Sequence, residues 1–139
     1  MNNKWGFILG LVFVGLFSIE SFAQVEYHYY DTYDGVRVGY RWQRASIFQR
    51  NSDAVLNLEL TNLQDSAVQV GFSVGFYRDH QLVLESPDNR VCLKPGQTRR
   101  GLRGDMRFRA EGITLDMIEE EWFSWDLFRV EVTGVAGCD

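Results

Sequence analysis

The sequence predicts an all-β fold: one antiparallel sandwich of two sheets, about seven or eight strands in all, with at most one short helix. Three observations carry this expectation. Apolar residues recur at every second position over several runs, the spacing at which a strand buries one face and wets the other. Clusters of Asn, Asp, Ser, Gly and Pro separate those runs at short intervals, as in two-sheet packings. The chain has 139 residues, 45% of them hydrophobic, with 13 Gly and 2 Pro. That balance supplies one core and argues against a disordered or collagen-like chain.

The first element in chain order reads as an address. Met1-Asn-Asn-Lys4 precedes an almost unbroken apolar run from Trp5 to Phe17, followed by Ser21-Phe22-Ala23 and the polar Gln24. A positive start, an apolar middle and small residues two apart describe a secretory signal peptide cut after Ala23. A membrane-spanning helix wants about 20 apolar residues; this run is shorter and Glu20 follows it closely. Residues 1–23 are therefore expected to be removed and residues 24–139 to form the domain, secreted or periplasmic, with no membrane span after cleavage.

The strands follow from period two. Val36, Val38, Tyr40 and Trp42 alternate with Arg37, Gly39, Arg41 and Gln43. Leu56, Leu58 and Leu60 alternate with Asn57, Glu59 and Thr61. Val68, Val70, Phe72, Val74 and Phe76 alternate with Gln69, Gly71, Ser73, Gly75 and Tyr77. Turn signals stand at Asn51 to Asp53, Gln64 to Ser66, Arg78 to His80 and Pro87 to Asn89, and the joint from Asn62 to Ala67 is short enough for a hairpin. Beyond Pro95-Gly96, residues Gln97 to Arg109 make one strand or two, interrupted by Gly101 and Gly104. Thr114 is placed to cap a short helix over Leu115 to Glu121, with Leu115, Ile118 and Trp122 on one side. The final run, Trp125 to Val132, changes phase between Leu127 and Phe128, which a β-bulge would explain. A small closed barrel is the alternative to a sandwich.

Part of this chain resembles a known architecture. The carriers are Leu56-x-Leu58-x-Leu60-Thr61-Asn62, then Ala67-Val68-x-Val70-x-Phe72-x-Val74-x-Phe76-Tyr77, then Leu93-Lys94-Pro95-Gly96-Gln97-Thr98. Together they resemble exported bacterial immunoglobulin-like domains, most closely the small FxLYD-type sandwiches. The likeness runs from about Ala54 to Thr98 and implies an immunoglobulin-like sandwich that is a non-catalytic module. The Cys…Trp…Cys pattern of antibody domains is absent, because Trp42 precedes both cysteines. An architecture of this kind says little about a ligand.

Cys92 and Cys138 are the two cysteines, and an even count in an exported chain favours a disulfide. Such a bridge would fasten the C-terminal tail to the body of the domain. The competing reading is a pair of free thiols. Neither cysteine has a His near it in sequence or forms a C-x-x-C pair, so redox catalysis has little support.

Composition narrows the chemistry further. A net charge of -5 removes nucleic acid as the default partner. The histidines, His28 and His80, belong to no H-E-x-x-H or His/Cys cluster, so no zinc site, metal or cofactor is expected. Glu26, His28, Asp31 and Asp34 would meet on a cation only if their segment folded back. No G-x-S-x-G supports a serine nucleophile, and the carboxylates Asp116, Glu119, Glu120, Glu121 and Asp126 read as a solvated acidic face.

Two features remain as candidate binding residues. Removing residues 1–23 leaves 12 Arg against one Lys, and five arginines, Arg99, Arg100, Arg103, Arg107 and Arg109, stand close together. Arg makes bidentate contacts with carboxylate, phosphate and sulfate groups, although cross-strand pairing with the Glu119 to Glu121 region would also account for the stretch. Aromatics gather at both ends of the domain, Tyr29 and Tyr30 near its start, Trp122 and Trp125 in its last run. Adjacent strand residues face opposite ways, so one of Tyr29 and Tyr30 is expected outside. The sequence thus points to a non-catalytic interaction or structural module with an envelope protein as partner. The alternative is a glycan-binding module that uses exposed aromatics and the arginine-rich stretch.

Overall fold

The structure, a computed structural model, describes residues 26–101 and 105–139. The signal segment and Arg103 lie outside these residues. In chain order the strands are β1 (His28–Tyr33), β2 (Val36–Arg44), β3 (Ala54–Asn62), β4 (Val68–Arg78), β5 (Gln81–Glu85), β6 (Asn89–Leu93), β7 (Thr98–Arg100), β8 (Arg107–Ala110) and β9 (Phe123–Gly134). They form two antiparallel sheets. In the first, β1 pairs β2, β2 pairs β3, and the far edge of β3 is shared by β7 and β8. In the second, β9 runs along one edge of β4 while β5 and β6 share the other. The described strands number nine, where seven or eight were expected. The excess arises because two sheet positions are each filled by two short strands in succession.

The sheets face each other across the residues that period two assigned to the interior. Val36 and Val38 from β2, Leu56, Leu58 and Leu60 from β3, and Val68, Val70, Phe72, Val74 and Phe76 from β4 are all buried in one cluster. Tight turns hold the register. Asp34 and Gly35 have φ of 44° and 78° at the β1–β2 hairpin, the left-handed pair that a two-residue loop between twisted strands requires. Asp79 and His80 do the same between β4 and β5, with φ of 48° and 65°; Asp and His tolerate that region better than most residues.

Asn62 to Ala67 does not form a hairpin. Strand β3 ends in one sheet and β4 begins in the other, so the segment is a corner that carries the chain across the core. Asn62, fully buried, builds it. Its Nδ2 donates to the carbonyls of Ser66 at 2.8 Å, Lys94 at 3.2 Å and Leu93 at 3.3 Å, and its Oδ1 accepts from Gln64 N–H at 3.0 Å. A hairpin would have satisfied these groups in a ladder; the corner needs a side chain to do it.

Three further expectations resolve in the C-terminal half. Residues Gln97 to Arg109 make two strands, β7 and β8. The short helix is reduced to one 3-10 turn, Met117–Glu119, with no side-chain cap; the carbonyl of Thr114, not its hydroxyl, accepts from Met117 N–H and Ile118 N–H. The phase change in β9 is a bulge. Leu127 and Phe128 pair with Val74 and Ser73, whereas Glu131 pairs with Gly71, so two residues oppose one. Arg129 takes up the slack with a φ of 55°, and Val130 and Val132 return to the core side occupied by Leu127.

Cys92 on β6 and Cys138 form a disulfide. No free cysteine is present among the described residues. The bridge ties the segment after β9 to the strand on the opposite edge of β4, so it closes the second sheet across its width. No described helix is long and apolar enough to cross a membrane.

Candidate functional site

Strand order decides which candidate residues meet. Strand β1 lies at one edge of the first sheet and β9 at one edge of the second, and aromatic side chains close the gap between them. The Tyr30 ring stacks on Trp125 at 4.6 Å between centroids, and Tyr40 meets Trp125 edge-on at 5.1 Å. Trp42 meets Trp125 and Phe123 edge-on in turn. The Tyr30 hydroxyl donates to Asp126 Oδ1 and accepts from Leu127 N–H. Burial, then the Asp126 carboxylate, push the Tyr30 phenol well above its ordinary range, so it is a proton donor at any physiological pH. Tyr29 points the other way and is exposed.

Beside this seam lies a depression of about 560 Å³ whose walls include Tyr40, Trp42, Trp125, His28, Glu26 and Glu119. Its aromatics interlock edge to face. That arrangement fills space between sheets, whereas a sugar platform presents a flat ring face. Trp122 is also engaged, with the Arg78 guanidinium 4.4 Å above its ring. Glu26 and His28 stand at one end of β1 and Asp34 at its far turn, and no group of three or more His, Cys, Asp or Glu among the described residues is placed to hold a metal.

The arginines divide. Arg100 Nε donates to Glu59 at 2.6 Å and Arg109 Nε to Asp53 at 2.7 Å. Both partners lie in or beside β3, so the expected pairing with Glu119 to Glu121 is not made. The cause is register: Arg100 stands opposite Glu59, and Arg109 opposite Val55, whereas Glu119 to Glu121 belong to the turn before β9. Gly112 N–H also donates to Asp53 at 3.0 Å, and with Arg109 it holds the Asp53 carboxyl below its usual range. Glu59 raises the Arg100 guanidinium further. Arg99 stands opposite Leu60 and is half-buried, while Arg107 stands opposite Asn57 and is exposed.

One surface feature was not anticipated. Between β2 and β3, residues 45–53 make a braced loop: Ala45 N–H donates to the Asp53 carbonyl, Ser52 N–H to Gln49, and Ser46 and Ser52 bond each other through Ser52 Oγ. Its tip presents Ile47 and Phe48, which are 81% and 90% exposed. The signal was present in the sequence as two adjacent large apolar residues between the alternating run that ends at Gln43 and the turn signal at Asn51 to Asp53. Side chains like these on a fixed loop cost free energy in water unless something covers them.

The fold and surface define a class, a two-sheet antiparallel sandwich with one disulfide and an apolar loop tip. No protein-family model matches the chain, and no curated protein or solved structure is significantly similar to it.

Proposed function

We propose that the protein is a secreted or periplasmic, non-catalytic interaction module that takes a protein partner at the Ile47–Phe48 loop tip. The observation that carries this reading is the near-complete exposure of both side chains on a loop whose backbone is already hydrogen-bonded. A pre-ordered apolar anchor enters a partner's pocket with little ordering cost. The disulfide supports an oxidising compartment, and the N-terminal signal pattern agrees with it. The likeness to FxLYD-type immunoglobulin-like domains, which led to the same expectation, remains part of this proposal.

The test compares envelope proteins retained by the wild type and by an Ile47→Ser, Phe48→Ser double variant with the same thermal stability. Loss of a specific partner in the variant is expected. Retention of every partner by both would overturn the reading. A glycan is the second reading, favoured by the depression beside Trp125. In that case Trp125→Ala, and not the loop variant, would lose retention on a polysaccharide resin.

A further inference from the structure

We propose that the outer face of the first sheet carries a binding site for a small oxyanion, a sulfate or phosphate group, centred on Asn57. Register assembles it. Arg41 on β2, Asn57 on β3 and Arg107 on β8 stand opposite one another, and directly opposed side chains on one face of a sheet are about 5 Å apart at Cβ. Leu56 and Leu58 on either side of Asn57 are in the core, so this row faces away from it.

Asn57 is the unexplained member. It is 0% exposed, yet neither its Nδ2 nor its Oδ1 has a hydrogen-bond partner among the described residues. Buried amides are rarely left so. Tyr27 supplies a second group of the same kind. Its Cβ is close to where a Gly39 side chain would stand, the Arg100 guanidinium lies 6.0 Å from its ring, and its buried hydroxyl also has no partner among the described residues. Burial raises the Tyr27 phenol above its ordinary value, against the lowering influence of Arg41 and Arg100, so the hydroxyl keeps its proton to donate.

The charges on this face are not all used. Glu59 takes Arg100 and Asp53 takes Arg109, whereas Arg41 and Arg107 make no ion pair among the described residues. An oxyanion between them accepts from both guanidinium groups and from Asn57 Nδ2, while Asn57 Oδ1 takes a remaining guanidinium N–H. This donor set matches a tetrahedral anion and leaves no buried amide atom idle. Arg107 is exposed and both arginines are long and flexible, so the anion reaches the amide by drawing the two side chains onto itself.

The experiment titrates the protein with sodium sulfate and with sodium phosphate against sodium chloride at equal ionic strength, following thermal unfolding and calorimetric heat. A saturable stabilisation by sulfate or phosphate, not reproduced by chloride, is expected. Asn57→Asp, which replaces the amide donor with a carboxylate oxygen facing the anion, and Arg107→Gln on the exposed side should each weaken binding by roughly tenfold or more. Arg37→Gln, on the same face but opposite Thr61, should change affinity by less than about twofold. Dextran sulfate and polyphosphate separate the sources: tighter binding to a polymer than to its free anion, lost in Arg107→Gln, assigns a polymeric ligand, and equal affinity assigns the free ion. No saturable response to either anion overturns the proposal. So does an equal loss in Arg37→Gln and Arg107→Gln, which would mean a diffuse charge effect. The Ile47→Ser, Phe48→Ser variant should keep full anion affinity, so this site and the loop reading fail separately.

Discussion

Replacing Asn62 with Ala tests whether one side chain holds the corner between the two sheets. Four hydrogen bonds end on the Asn62 amide, to Ser66, Leu93, Lys94 and Gln64, and the residue is fully buried. Two N–H groups serve three carbonyls, so one bond is shared and weak. Each well-made bond contributes about 1 kcal/mol net, and more when its partner is stranded in the interior. The expected loss is therefore about 3 to 4 kcal/mol, or a fall in Tm of about 15 °C for a domain of this size. Urea unfolding should show a lower midpoint at unchanged slope, since the native fold and the surface exposed on unfolding stay the same. Asn62→Asp sharpens the test. It keeps the acceptor for Gln64 N–H but turns a carboxylate toward three carbonyl oxygens, so at neutral pH it should be no better than Ala. Protonation restores a donor, so the folded-state pKa of that Asp lies above its unfolded value and the variant should gain stability as pH falls. A loss below about 1 kcal/mol in the Ala variant, or a wild-type midpoint in the Asp variant, would refute the account of the corner.

Three other perturbations have defined outcomes. Reducing the Cys92–Cys138 bridge, which spans a sequence separation of 46, should cost about 4 kcal/mol in the chain-entropy model, read as the change in urea midpoint with and without reductant; a loss below about 1 kcal/mol would mean that the reduced chain is already constrained. A Cβ at Gly101 would lie 2.1 Å from the Met106 carbonyl oxygen, whereas at Gly75 it would meet the Phe128, Leu82 and Tyr77 side chains at 2.9 to 3.1 Å. Gly101→Ala should thus cost about 3 kcal/mol and Gly75→Ala about 1, because backbone does not give way and side chains do; equal costs would contradict this. The Asp53 carboxyl titrates below its unfolded value, so its stabilisation is complete above about pH 4 and is lost as pH falls through the folded pKa. With Arg109 61% exposed in the pair, the contribution is discounted to about 1 kcal/mol at most. Asp53→Asn should flatten the acid limb of a stability profile, and an unchanged limb would show that the pair contributes nothing.

The fold was legible where a residue's environment depends on its neighbours along the chain. Alternation at Val36 to Trp42, Leu56 to Leu60 and Val68 to Phe76 needs only the pleat, and all three runs face the core as their period requires. The bulge in β9 was legible too, because Phe128 breaks the phase that Trp125 and Leu127 set. The corner at Asn62 was not: a short polar joint suits a hairpin and a crossover equally, and the choice is made by carbonyls of Leu93 and Lys94 about 30 residues away. The partners of Arg100 and Arg109 were hidden for the same reason, since Glu59 and Asp53 become neighbours only through strand pairing. Asn57 reads in sequence as one more polar residue on a wet face, and the folded structure buries it.

The arginine stretch shows how that limit can itself be explained. Seven positions separate Arg100 from Arg107, and in one uninterrupted strand an odd separation would send them to opposite faces. They share a face because they stand on two strands, β7 and β8, each with its own register against β3. Arg100 pairs with Glu59 and Arg107 with Asn57, while Gly101 N–H donates to the Leu58 carbonyl and Leu58 N–H to the Met106 carbonyl. On the partner strand the single residue Leu58 thus separates the two pairings. Gly101 closes against this span so tightly that a side chain there would strike Met106. The result is a sorting of charge that a net value of -5 conceals. Arg37, Arg41, Arg100, Arg107 and Arg109 all fall on the outer face of the first sheet by register, and Glu59 and Asp53 neutralise two of them. A sandwich that is acidic overall therefore keeps one basic face. That face is where Asn57 lies, its side-chain amide without a partner among the described residues.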